Sequence, residues 1–430
     1  MLNWKLKKDH NPIIVKGVRQ CGKTFSVLDF ARKNYKYVVY LNFLENPSYK
    51  TIFAESLNMN DLIMYITAKV GGQVKFEKGK TCLVLDEIQE CPEARTALKF
   101  IKISGKCDVI ATGSLLGVSG YGEPTSIPVG YETIVDMKPM DFEEFLWANG
   151  INDKIIDEVC SCVKKNTPIA TPLHQRFREL LMQYIIVGGM PAVVDSFLQN
   201  RNLADVYQMQ KDIVRSYEDD MVKHAPRSEK SVIKECFKSI PAQLSKENKK
   251  FQYSVIKKGS SASRYLGSLQ WIEDAGIINR CYNLNITELP LEGNAQNDCF
   301  KVYMADTGLF VSMLDSEIQS EILQGNLLAY KGAIFENIMA DFLSKSNKNL
   351  FYYHKDSGLE IDFVTQHHRE CVLIEVKATS GNVKSSKTIL AHPEKYHINK
   401  VFKFGDYNVG QSANITTLPL YFAPFLFTRL

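Results

Sequence analysis

The sequence predicts an α/β chain in which a mainly parallel, nucleotide-binding sheet is followed by helices and a second α/β domain. Three observations carry that expectation. A complete phosphate-binding loop, Gly17-Val18-Arg19-Gln20-Cys21-Gly22-Lys23-Thr24, lies between an apolar run and a helical pattern. The apolar run Thr81–Leu85 ends in Asp86-Glu87. Far downstream, Asp362 and the triplet Glu375-Val376-Lys377 stand on two segments of alternating hydrophobicity.

The chain has 430 residues, enough for two to four domains with cores of their own. Its 45% hydrophobic and 23% charged content is that of an ordinary globular protein rather than a disordered or fibrous one. No uninterrupted apolar run approaches a membrane span and no secretory signal opens the sequence, so a cytoplasmic location without a membrane partner is expected. The ten cysteines are scattered, and Cys160-Ser161-Cys162 is the only close pair. Reduced thiols fit that pattern better than disulfides or a zinc site. Only Met1 to His10 precede the first strand, and Leu2-Trp4-Leu6 reads as the remnant of a helix, so a clipped N-terminus is expected.

The loop matches G-x-x-x-x-G-K-[ST], preceded by Pro12-Ile13-Ile14-Val15 and followed by the helical pattern Phe25–Ala31. Its glycines let backbone N–H groups curl around phosphates, and the helix N-terminus adds favourable partial charge. Residues Gly17 to Phe25 are therefore the expected nucleotide site. Lys23 would reach the β/γ-phosphates of ATP, and the Thr24 hydroxyl would sit on Mg²⁺. Asp86 would hold the Mg²⁺ shell, while Glu87 would orient and deprotonate the attacking water. A further strand, Asp108–Ala111, ends in Thr112-Gly113-Ser114. Ser114, or Thr112, is the expected sensor of the γ-phosphate, although Ser114 would serve equally as a helix cap. With Tyr37–Leu41 and Glu132–Val135 this makes five strands alternating with helices, and a nucleotide at the strand C-termini.

These segments resemble a prokaryotic group of AAA+-type ATPases. The resemblance rests on Gly17–Thr24, Leu85–Gln89, Ala111–Ser114 and Pro139–Phe145, and continues through Gly188–Pro191, Tyr303–Leu309 and Gly332–Asn337 into a C-terminal region of unknown function. It implies an ATPase core and a helical lid that closes on ATP and opens after hydrolysis. One departure stands out. The family often carries Gly-Arg before its last core strand, where this chain has Gly130-Tyr131. An arginine finger supplies roughly 10³–10⁵ in rate, so its loss implies slow hydrolysis or an arginine from elsewhere.

From Pro226 to Asn285 the chain holds eleven Lys/Arg against five Asp/Glu. A helix (Ser228–Leu244), an extended piece (Phe251–Ile256), a Ser-capped helix (Ser260–Ile272) and the strand-like Ile277–Tyr282 outline a winged helix. A DNA-binding reading places Ser261, Ser263 and Arg264 on the recognition helix and Lys257 and Lys258 on phosphates. The alternative is a packing module with a solvated basic face.

Asp362, thirteen residues on Glu375, then Lys377, is the layout of the PD-(D/E)xK nuclease fold, with Glu336 on an upstream helix as the extra carboxylate. Asp362 and Glu375 would point the same way from adjacent strands and, with Glu336, hold Mg²⁺ while Lys377 activates water. Asp306 reads as a turn or junction residue without catalysis.

The expected domains are a P-loop NTPase core of AAA+ type over 1–149, a helical lid over 150–225, a winged-helix connector over 226–300 and a restriction-endonuclease-like α/β domain over 301–430. Two functions follow. One is a Mg²⁺-dependent ATPase that couples nucleotide state to a nuclease-like domain directed at nucleic acid, most simply DNA. The other is a non-cleaving ATP-dependent switch or docking protein. Self-association is left open.

Overall fold

A computed structural model describes residues 1–71, 74–115, 130–224, 229–246, 249–258, 262–314, 317–324, 330–377 and 383–430. The chain divides into two compact units, Met1–Pro139 and Met140–Leu430. No described helix is long and apolar enough to cross a membrane.

The first unit is a parallel five-stranded sheet. Its strands are β1 (Ile13–Gly17), β2 (Tyr37–Asn42), β3 (Thr81–Asp86), β4 (Asp108–Ser114) and β5 (Thr133–Met137), in the order β2-β3-β4-β1-β5. All five expected strands are present. Strand alternation sends Ile13, Val15, Cys82 and Val84 to one face, where Val27 and Ala31 of the Lys23–Asn34 helix cover them. Ile14, Leu83 and Leu85 face the other way, onto Leu62, Ile66, Leu98 and Ile101 of the Met59–Val70 and Pro92–Ser104 helices. Because β1 lies between β4 and β5, and β3 beside β4, the phosphate loop and the β3 acidic end open at the same edge.

The second unit begins earlier than the expected boundary at 149/150. Asp141 caps the Phe142–Ala148 helix in a capping box with Glu144. Phe142 and Phe145 then pack against Tyr184, and Phe142 also meets Phe342 and Phe425. The Thr171–Val187 helix is buried on every side over its last turn, from Tyr184 to Val187, which marks an internal helix. The helices expected as a lid are thus core elements of this unit.

The second sheet has eight strands: β6 (Ile278–Leu284), β7 (Ala295–Met304), β8 (Leu350–His354), β9 (Glu360–His367), β10 (Glu370–Lys377), β11 (Val401–Gly405), β12 (Gly410–Ser412) and β13 (Ile415–Pro419), ordered β12-β13-β11-β10-β9-β8-β6-β7. This differs from the expected boundary at 300/301, which β7 crosses. Helices over Lys230–Leu244 and Ala262–Asp274 precede the β6–β7 hairpin, as in a winged helix, but β6 also pairs in parallel with β8. β6 is buried at Ile278, Arg280, Cys281, Asn283 and Leu284, which include both faces of the strand, so it is an interior strand rather than a free wing. The expected extended piece at Phe251–Ile256 is mostly one helical turn, Tyr253–Ile256. Ser260 and Ser261 lie outside the described residues, as does the side chain of Ser263. Arg264 lies over the Tyr265 ring at 5.8 Å.

Candidate nucleotide and nucleic-acid sites

At the phosphate loop, Gln20 and Gly22 take left-handed φ of 64° and 90°, the alternation that turns successive amides inward. Gly17 is required sterically, since a Cβ there would meet the Met137 carbonyl at 2.3 Å and the Cys21 sulfur at 2.9 Å. Lys23 folds back to donate to the carbonyls of Gly17 and Val18 at 3.0 and 2.9 Å. Phe25 is 77% exposed on the first helical turn. Thr24 donates to both Asp86 oxygens at 3.1 Å. These are hard oxygen donors from two elements at one point, a set that fits Mg²⁺.

Asp86 is gripped from three sides: Tyr40 donates at 2.7 Å and Asn42 at 3.3 Å from β2, and Thr112 donates from β4. Glu87 follows in the left-handed region at φ 56° and gives its amide to Thr112 Oγ at 3.4 Å. A strained non-glycine backbone at the expected catalytic base is the kind of outlier that collects at functional sites. Of the two sensor candidates, Thr112 donates to Asp86 and accepts the Glu87 amide. Tyr40 and Asn42 were not anticipated, because nothing local to β2 marks them. Arg95, which could have been the missing arginine, is held in a buried bidentate pair with Glu132 at 2.7 and 3.1 Å.

In the second unit, β9 and β10 are antiparallel with Ile374 opposite Phe363, so Glu375 and Asp362 share a face. Lys377 lies 2.6 Å from Glu375 and 3.6 Å from Asp362. Ser386 donates to Glu375 at 2.6 Å, and the Val376 amide to Asp362 at 2.7 Å. Burial, with repulsion from Glu336 and Glu375, pushes Asp362 up to about 7 against the pull of Lys377 and Lys301. Glu336 sits on the Lys331–Lys345 helix as expected. It takes Lys249 at 2.5 Å, Tyr303 at 3.0 Å and Lys301 at 3.9 Å. Burial opposes its ionisation, but the two lysines and the Tyr303 hydrogen bond outweigh that and hold its carboxyl below the usual range. Lys301 also pairs with Glu360 at 3.0 Å.

The three expected metal ligands are thus neighbours, but each is engaged by lysine. Among the described residues no three His, Cys, Asp or Glu side chains are grouped to hold a metal ion. As they stand, Glu336, Asp362 and Glu375 do not form one ligand set.

A buried polar hub lies nearby in the same unit. Asp306 caps Thr307–Ser312 through the Leu309 amide at 3.0 Å and accepts the Gly189 amide at 2.7 Å. Lys345 lies 2.8 Å from Asp341 Oδ1, off the direction that would satisfy that oxygen, and donates to the Met140 carbonyl at 3.1 Å and Tyr184 at 2.8 Å. Asn337 bridges Met304 and Thr307. The segments Pro139–Phe145, Gly188–Pro191, Tyr303–Leu309 and Gly332–Asn337 therefore meet in one place, and Asp306 is a junction residue there.

Residues 9–146 match the family model described as AAA domain. Residues 178–320 and 331–422 match two models described as domains of unknown function, DUF8612 and DUF4143. No curated protein matches the chain. Among solved structures, the Aeropyrum pernix ORC1 protein in complex with DNA aligns at 12% identity over 74% of this chain and 87% of its own, with a TM-score of 0.28. Cdc6p from Pyrobaculum aerophilum aligns at 13% over 76% and 91%, with a TM-score of 0.24. AMPPCP-bound DnaA from Aquifex aeolicus aligns at 13% over 64% and 85%, with a TM-score of 0.22. Likenesses this distant bear no argument, and the family match with the sheet order carries the assignment. Residues 9–146 are an AAA domain of the P-loop type.

Proposed function

We propose that this chain is a Mg²⁺-dependent ATPase whose nucleotide state governs a nuclease-like centre directed at nucleic acid. The observation that carries the ATPase half is the meeting of Thr24 with Asp86 beside Lys23. Lys23 would exchange the Gly17 and Val18 carbonyls for the β/γ-phosphates. Thr24 and Asp86 would hold Mg²⁺, which when bound neutralises charge on those phosphates. Glu87 would take the proton of the attacking water, with Thr112 fixing its position against Asp86.

The nuclease-like half rests on Asp362, Glu375 and Lys377 sharing one face of adjacent strands, with Glu375 buried, Asp362 and Lys377 mostly so, and their charges compensating one another. Asp362, raised towards neutrality, and the adjacent Lys377 are groups able to hold and pass a proton at a scissile phosphate. The second reading, a docking surface that binds without cutting, is favoured by the lysines already seated on Glu336 and Glu375. Incubating plasmid and labelled oligonucleotides with Mg²⁺ or Mn²⁺ separates the two. Cutting by the wild type that Asp362→Ala and Lys377→Ala abolish supports the nuclease. Cutting that neither variant changes marks a contaminant, and no cutting at all leaves the docking reading standing.

A further inference from the structure

Glu336 receives its counter-charge from two places that differ in how firmly they are built in. Lys301 and Tyr303 stand two apart on β7, share a face and are both buried. Both approach Glu336 Oε2. Lys249 comes from outside the sheet and donates to Oε1. Its place is set two residues on, where the Phe251 amide donates to the Phe300 carbonyl at 2.8 Å and the two rings stack with centres 5.8 Å apart. The Lys249 side chain is 11% exposed and ends beside the first turn of the Lys331–Lys345 helix, where a Cβ on Gly332 would stand 3.8 Å from its Nζ.

Glu375 is closed in the same manner, with Ser386 donating to Oε1 and Lys377 to Oε2. Asp362 Oδ2 takes the Val376 amide, with Lys377 at 3.6 Å. Both oxygens of Glu336 and both of Glu375 are therefore engaged by the chain's own donors. A dication entering here must displace an ammonium and meet the repulsion of the others, and that repulsion is several times stronger at a largely buried site than in water. The lysines are not equally displaceable. Lys301 and Lys377 are fixed by their strands and each reaches two carboxylates. Among the described residues Lys249 pairs with Glu336 and with no other carboxylate. Its flexible four-carbon stem lets the ammonium leave without disturbing the sheet.

We infer that Lys249 is a built-in counter-ion that occupies Glu336 in place of a divalent cation and keeps the Glu336–Asp362–Glu375 centre closed to one. This rests on the nuclease-like reading of that centre but not on cleavage. The test measures Mn²⁺ held by the nucleotide-free, full-length protein, from the loss of the free-ion electron paramagnetic resonance signal. Every chain carries Asp86→Ala, which removes the carboxylate at the phosphate loop. Lys249→Met and Lys249→Gln, which delete the charge, each tighten Mn²⁺ binding at least about tenfold. Lys249→Arg, which keeps the charge, does not. Adding Glu336→Gln to either uncharged variant abolishes the gain. Thermal melts show which variants fold, and two uncharged side chains are used so that one unstable chain does not decide the matter. A folded uncharged variant with no gain overturns the inference, as does a gain that survives Glu336→Gln. So does tight Mn²⁺ binding with Lys249 in place that Glu336→Gln removes. Because the readout is binding, the two readings fail separately: an opened centre that still cuts no plasmid retires the nuclease and leaves the role of Lys249 intact.

Discussion

The Gly189 amide donates to Asp306 at 2.7 Å, joining two motifs 117 residues apart inside the second unit. Gly188 beside it has φ 70°, and a Cβ there would stand 2.3 Å from Asp306 Oδ1. Gly188→Ala therefore combines left-handed strain with a clash against a fixed carboxylate. It is expected to destabilise by about 2–4 kcal/mol. Asp306→Ala leaves the Gly189 and Leu309 amides unpaired in the interior and costs about 3 kcal/mol. Urea unfolding of the second unit measures both. A loss under about 0.5 kcal/mol for either, the range of ordinary surface substitutions, would remove the hub from the account.

Thr112 rather than Ser114 should govern hydrolysis. Thr112→Val deletes the donor to Asp86 and the acceptor of the Glu87 amide with little change of shape. ATP turnover is expected to fall about 10- to 100-fold while ATP affinity stays within about twofold. Ser114→Ala should cost less. Equal losses in the two variants would return the sensor role to Ser114.

Lys23→Ala is expected to weaken ATP binding by at least about tenfold without lowering the melting temperature of the nucleotide-free protein. The Lys23 hydrogen bonds in this state are to loop carbonyls that water can replace. Titration calorimetry reads the first effect and a thermal melt the second. Unchanged ATP affinity would remove Gly17–Thr24 as the nucleotide site.

Two carboxyls make the fold sensitive to pH. Burial pushes Asp341 up to about 6 and Asp362 to about 7, from an ordinary 3.8. Between about pH 4 and 7 the unfolded chain has released protons that the folded chain still holds. The contribution of these groups to stability therefore falls as pH rises through that window. Asp362→Asn removes one of them. It should match the wild type in melting temperature near pH 4 and exceed it above pH 7, where the wild type holds a buried carboxylate. A difference that does not grow with pH would place the Asp362 proton elsewhere.

Part of this was legible in the sequence for physical reasons. A phosphate loop needs four fixed residues in a contiguous stretch, and Asp86 sits where an apolar strand must end. Asp362, Glu375 and Lys377 could be placed on one face because strand alternation has a period of two. The role of β6 could not be read, since apolar alternation does not distinguish a free wing from a strand taken into a larger sheet. The hub was invisible for another reason. Tyr184, Asp341 and Lys345 each look like ordinary helical residues, and only the fold brings Lys345 to a carbonyl 205 positions away. The same holds for Lys249, which reads as part of a solvated basic face and meets Glu336 of another segment.

The coupling of the two units is tested most directly by one titration series. The affinity of a labelled oligonucleotide is measured with and without Mg²⁺-ATP, for the wild type and for Lys23→Ala. An ATPase that governs its second unit shifts the wild-type affinity several-fold on adding nucleotide and leaves Lys23→Ala unmoved. The same affinity in all four measurements would contradict it.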